Sequence, residues 1–126
     1  VNLGLCPEAA SSLLLPQLMG HKRAAQALLL GDPFNAETAL EVGLANQVVP
    51  PTEANAAAQA LAVRLASKPL EALMQSKRLM KAPQQAQTLQ VMADEGEVFK
   101  RLLVAPAAKE AFSAFLEKRK PDFSQL

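Results

Sequence analysis

Nine prolines and five glycines are spread through a chain of 126 residues in which Ala and Leu together make up roughly a third. Ala and Leu are strong helix formers, and the β-branched residues that favour strands are scarce. Helix is therefore the default state of almost every stretch. The prolines and glycines decide where each helix starts, bends or stops. The expectation is a mostly α chain with one or two short strands.

Val1 to Leu5 reads as a short strand or its end. A helix is expected from about Glu8 to Met19, bent or interrupted by Pro16 and ended by Gly20. His21 to Leu30 carries Ala24, Ala25 and Leu28 on one face, with Gly31 as its C-terminal stop. Asn35 is placed to cap a short helix bearing Ala39 and Leu40, which Gly43 closes. Asn46 to Val49 is the second strand candidate, ended by Pro50 and Pro51. Thr52 is expected to cap an Ala-rich helix with the face Ala54, Ala57, Ala58, Leu61 and Leu65.

Pro69 fits a first helical position and opens a segment with Leu70, Leu73, Met74 and Met80. The spacing of Leu89, Met92, Ala93, Gly96, Phe99 and Leu103 predicts a longer helix over about Gln84 to Leu103. A last helix starts near Pro106, presents Ala108, Ala111, Phe112, Phe115 and Leu116, and stops at Pro121.

Composition removes several function classes. Half the residues are hydrophobic, which is enough for a core and excludes an intrinsically disordered chain. A formal net charge of +1 leaves no large field of one sign for nucleic acid or a membrane surface. Aromatic residues are only 4%, without Trp or Tyr, so base-stacking platforms lack material. One cysteine makes no internal disulfide and no structural zinc site, so no metal is expected and the default compartment is the cytoplasm. No apolar run reaches the roughly 20 residues of a membrane-spanning helix. The chain begins without an initiator Met, as if in mid-strand, and two short strands make no stable sheet alone. It is therefore expected either to be part of something longer or to be a small helical module.

Few residues suggest chemistry on their own. His21, the only histidine, stands at a helix start and reads as solvated or capping. Cys6 reads as a small buried apolar residue, with no base evident nearby. Lys118-Arg119-Lys120 reads as a solvated helix end that suits the helix dipole. Glu8 follows Pro7 at a strand-to-helix turn among Leu5, Cys6, Ala9 and Ala10. An apolar setting there would raise its pKa into the range of a general base; a first-turn glutamate complementing the helix N-terminus is the plainer alternative.

Three blocks of residues carry a resemblance. Asn2-Leu3-Gly4-Leu5-Cys6-Pro7-Glu8-Ala9-Ala10-Ser11-Ser12, with Leu15-Pro16, Gly20 and Ala24-Ala25, resembles the middle of the crotonase superfamily, the enoyl-CoA hydratases and isomerases. The stretch from Leu29-Leu30-Gly31-Asp32-Pro33-Phe34-Asn35-Ala36-Glu37 through Val48-Val49-Pro50 is similar to that family's next block. Ala114-Phe115-Leu116-Glu117-Lys118-Arg119-Lys120-Pro121 resembles its end. The three lie in collinear order over essentially the whole chain.

The resemblance implies the C-terminal half of a crotonase-type α/β fold. Residues 1–50 would end the crotonase core around Glu8, and residues 51–126 would form a C-terminal helical region for oligomerisation and CoA contact. In that family the first half supplies the backbone N–H donors of the oxyanion hole. The usual assembly is a trimer, often a hexamer of two trimers. The substrate is an acyl-CoA thioester, and no further cofactor is implied.

Pro7-Glu8-Ala9-Ala10-Ser11-Ser12 is similar to the Δ3,Δ2-enoyl-CoA isomerase branch, in which one Glu moves a proton from C2 to C4 and shifts the double bond from C3 to C2. This implies Glu8 as catalytic base and acid. Hydratases of the family use two glutamates, and collinear placement puts the second just before Val1; a 2-enoyl-CoA hydratase is the alternative. Phe115 and Lys118 match an aromatic and a basic residue that line the adenine and phosphate end of CoA, though Phe115 also fits plain core packing. A non-catalytic helical oligomerisation module is the alternative of another class.

Overall fold

The computed structural model describes residues 1–124 and Leu126. Its α-helices are α1 (Ser11–Met19), α2 (His21–Ala25), α3 (Ala36–Glu41), α4 (Ala54–Ala66), α5 (Leu70–Leu103) and α6 (Pro106–Leu116). A π-helical turn, Gln26–Leu30, continues α2, and a 3-10 turn, Pro51–Glu53, leads into α4. No helix among the described residues is long and apolar enough to cross a membrane.

The helical expectation holds, but no strand forms among the described residues. Val1 to Leu5 folds back on itself instead, with the Gly4 N–H bonded to the Val1 carbonyl at 2.8 Å. Asn46 to Val49 is irregular as well. A strand exists only through a ladder to a neighbour, and neither segment has one among the described residues.

The chain divides into two compact units, one formed by Val1–Phe34 and Gln87–Leu126 and the other by Asn35–Ala86. In the first unit, Gly20 turns the chain between α1 and α2. Its buried residues are Ala10, Ala24, Ala108, Ala111, Ala114 and Glu95, so small side chains dominate this core. Gly4 shows why small residues are needed. It has a φ of +67°, and a Cβ on it would come within 2.7 Å of the Ala107 carbonyl carbon and the Ala108 nitrogen. The opening turn thus lies directly on the start of α6.

On α6, burial stays with Ala108, Ala111 and Ala114, spaced three apart on one side. Phe112, Phe115 and Leu116, expected on the same apolar face, are exposed. Phe115 therefore does not serve as core packing within this chain.

In the second unit, the Asn35 side chain accepts a bond from the Thr38 N–H at 2.9 Å and caps α3 as expected. Val42, at the end of α3, is the buried apolar residue of this unit among those described. Thr52 does not cap α4. The chain enters through the 3-10 turn at Pro51, and Glu53 holds the cap position without a side-chain bond. Leu61, Leu65, Met74 and Met80 are exposed, and Leu65, Leu73, Met74 and Met80 line an apolar hollow with Lys77 and Lys81.

The helix expected near Gln84 is not separate from the segment opened by Pro69. Both belong to α5, which continues through Pro83. Proline removes one N–H from a helix and frees the carbonyl four residues before it. Here that carbonyl belongs to Leu79, and both Leu79 and Pro83 are exposed residues, a stretch of helix where water is an available partner.

Candidate active site

The site is built on the turn Glu8–Ser11, closed by a bond from the Ser11 N–H to the Glu8 carbonyl at 3.0 Å. Its two central residues, Ala9 and Ala10, have φ of 58° and 59°. Positive φ at both central positions is the type I′ pattern, which ordinarily takes Asn or Gly. An L-residue with a Cβ is strained there by about 1–2 kcal/mol. Two alanines in succession persist in that region only where the surroundings over-determine the conformation.

What holds them is Glu95. This carboxylate projects from α5, is only 8% exposed, and accepts three hydrogen bonds from the turn and the start of α1. One oxygen accepts the Ala10 N–H at 2.6 Å. The other accepts the Ser12 N–H at 2.9 Å and the Ser12 hydroxyl at 2.5 Å. The same residue's backbone carbonyl takes a weak bond from the Cys6 thiol at 3.8 Å. Ala10, in the cap position of α1, has no side chain that could satisfy the helix's first N–H groups. Glu95 does so from more than 80 residues away in sequence. Bonds from N–H groups to an ionised carboxylate are among the stronger ones a protein makes, and a carboxylate suits the positive end of a helix.

Composition and spacing do not single out Glu95, which sits in the acidic run Asp94-Glu95-Gly96-Glu97 and resembles a solvated side chain. Two signals together point to it. It falls on the apolar stripe of its helix, three residues after Met92 and four before Phe99, and the helix starting at Ser11 has no cap of its own.

Glu8 is exposed on the wall of an open hollow of about 360 Å³. The other lining residues include Leu3, Leu5, Cys6, Pro7 and Phe99, so the wall to which Glu8 belongs is largely apolar. Cys6 is half-buried in the same wall. His21 is exposed at the first position of α2. Among the described residues no group of three or more His, Cys, Asp or Glu side chains could hold a metal ion.

Phe115 and Lys118 do not line the Glu8 hollow. They stand at the far end of α6, Phe115 with 76% of its surface exposed. Lys118 has a φ of 54° and occupies the left-handed position just past the helix. Its N–H bonds the Phe115 carbonyl at 3.2 Å, and the Arg119 N–H bonds the Ala114 carbonyl at 2.9 Å. This is a complete Schellman motif with Lys where Gly is usual.

Arg119, read from sequence as part of a solvated basic run, turns back instead. It grips both oxygens of Glu110 and also reaches Glu117 at 2.6 Å, while Glu110 accepts the Asp122 N–H at 2.9 Å. The Arg119 guanidinium, and after it the Asp122 N–H, hold the Glu110 carboxyl at about 2, well below its ordinary 4.5.

Comparison with known proteins sets this geometry in a family. The family model of enoyl-CoA hydratase/isomerase matches residues 1–126. A crotonyl-CoA hydratase of Syntrophomonas wolfei is 35% identical over 123 residues, covering 98% of this chain and 47% of that protein. A 1,2-epoxyphenylacetyl-CoA isomerase of Escherichia coli is 37% identical over 124 residues, again 98% of this chain and 47% of the relative. The crystal structure of an enoyl-CoA hydratase/isomerase from Pseudoalteromonas atlantica superposes with a TM-score of 0.91 at 36% identity, over 98% of this chain and 50% of that one. The chain thus spans about half the length of the relatives it matches. It belongs to the enoyl-CoA hydratase/isomerase family, the crotonase superfamily, and its described residues correspond to a helical C-terminal part of that fold.

Proposed function

We propose that the full-length protein containing this chain is an enoyl-CoA isomerase that moves a double bond from C3 to C2 of a fatty acyl-CoA, with Glu8 as the single base and acid. The observation that carries this reading is the placement of Glu8 on the apolar wall of a hollow, on a turn that Glu95 holds at Ala10 and just beyond it at Ser12. The Glu8 carboxylate takes a proton from C2, and the electrons released spread over C2 to C4 and the thioester oxygen. The double bond re-forms between C2 and C3 as Glu8 returns the proton to C4. One carboxylate lying along C2 to C4 serves both transfers, without water and without a cofactor beyond the substrate's own CoA. Donors for the thioester oxygen come, in this reading, from the part of the family fold outside this chain. Phe115 and Lys118 lie away from the hollow, which suits contacts to the adenine and phosphate end of an elongated CoA.

The test is Glu8→Gln in the full-length protein, assayed with a 3-enoyl-CoA. Isomerisation is expected to fall by about 100-fold or more, with CoA-thioester binding retained. Unchanged turnover would remove Glu8 from the chemistry. The hydratase reading is favoured by several relatives that carry hydratase names, among them the crotonyl-CoA, short-chain-enoyl-CoA and 2,3-dehydroadipyl-CoA hydratases, and is tested in the same assay. Incorporation of solvent oxygen into a 3-hydroxyacyl-CoA product at the isomerisation rate would replace the isomerase reading with it.

A further inference from the structure

We infer that Glu95 is a positioning residue for Glu8, setting the angle at which the catalytic carboxylate meets the substrate; this rests on the assignment of Glu8 proposed above. The Glu8–Ser11 turn is strained at both central residues, Ala9 at φ 58° and Ala10 at φ 59°. Left to itself, an alanine pair relaxes to negative φ, and a turn of opposite hand carries the residue before it in a different direction. The Glu95 carboxylate opposes that relaxation. Its bond to the Ala10 N–H, 2.6 Å, acts on the second strained residue, and its two bonds to Ser12 fix the chain just after the turn. The thiol of Cys6 meets the Glu95 carbonyl from the other side of Glu8. Glu8 is therefore bracketed by contacts to a single residue of α5 at positions 6, 10 and 12, while Glu8 itself is exposed and belongs to the wall of the hollow. Burial of Glu95 couples it to the turn, since a buried carboxylate needs hydrogen-bond donors and those it has are Ala10 and Ser12.

The near-isosteric variant Glu95→Gln tests this in the full-length enzyme. Its amide must set an NH2 group against an N–H or O–H donor, so at least one bond to the turn is lost. Expected is a fall in kcat of about 10- to 100-fold, the scale of a misplacement of about 1 Å, with KM changed by less than about threefold. In a Glu8→Gln background the same substitution is expected to cost nothing further in kcat, because its effect passes through Glu8. Ala9→Gly, which accepts positive φ without strain, is expected to restore part of the activity lost in Glu95→Gln. A purely structural Glu95 would lower thermal stability without this KM-against-kcat split and without the non-additivity.

Undiminished kcat in Glu95→Gln, or a loss that multiplies with that of Glu8→Gln, overturns the inference while leaving Glu8 in place. Full activity in Glu8→Gln overturns the assignment of Glu8, and this inference with it. If Glu95→Gln does not fold, Ser12→Ala decides. It removes only the hydroxyl donor and is expected to lower kcat by several-fold in the Glu8 enzyme and not in Glu8→Gln; an unchanged kcat again overturns the inference.

Discussion

Lys118 meets two demands that pull apart. Its backbone sits at φ 54° in the position where a helix C-terminus ordinarily uses glycine, and its side chain is exposed beside Phe115 at the proposed CoA end of the site. A backbone that served stability alone would have glycine there. Lys118→Gly is therefore expected to raise stability by about 0.5–1 kcal/mol, read as a higher urea midpoint. If the ammonium holds a CoA phosphate, the same variant raises KM for the acyl-CoA several-fold at low salt with kcat little changed, and the effect shrinks as salt is added. A higher midpoint with unaltered KM would leave Lys118 a terminus residue and nothing more. The basic run from Lys118 to Lys120 was legible as the end of a helix. The diversion of Arg119 to Glu110 was not, since the partner lies nine residues back and depends on how the chain turns at Lys118.

At the scale of elements, the Glu110–Arg119 pair ties the segment after α6 back onto the helix, and the Asp122 N–H adds a second tie to the same carboxylate. The Glu110 carboxyl is held at about 2 against an ordinary 4.5. A lowered folded-state value means that the stabilisation is fully present above 4.5 and is lost as pH falls toward about 2, where Glu110 protonates even in the folded chain. Comparing wild type with Glu110→Gln by thermal unfolding, the gap in midpoint is expected to be constant above that window and to close within it. A gap that persists at the acid end would assign the effect of the substitution to something other than the carboxylate's charge. Added salt narrows the gap throughout, since the pair is solvent-accessible. Element boundaries followed local chemistry where the cap was local, as with Asn35 and Thr38. They failed where the decisive partner was distant or a proline fell on an exposed stretch. The N-terminus of α1 is capped by Glu95 from another helix, and α5 runs on through Pro83 among exposed residues.

For the molecule as a whole, the decisive quantity is surface. Among the described residues no large side chain is fully buried, and Leu65, Met74, Met80, Leu89, Phe115 and Leu116 are all more than half exposed. Sequence periodicity marked these residues correctly as apolar faces, yet it carries no information on whether the covering surface belongs to the same chain. The relatives are about twice this length, so a remainder of that size and a second copy of this chain are the two candidates for the cover. The 126 residues alone are therefore expected to sediment as species heavier than 13.4 kDa, to bind a hydrophobic dye, and to show no turnover of a 3-enoyl-CoA. The full-length protein is expected to lose the dye binding while keeping a defined oligomer. A monomeric, dye-silent 126-residue chain would mean that the exposed faces cover one another in solution, and the oligomer contacts would have to be sought outside these helices.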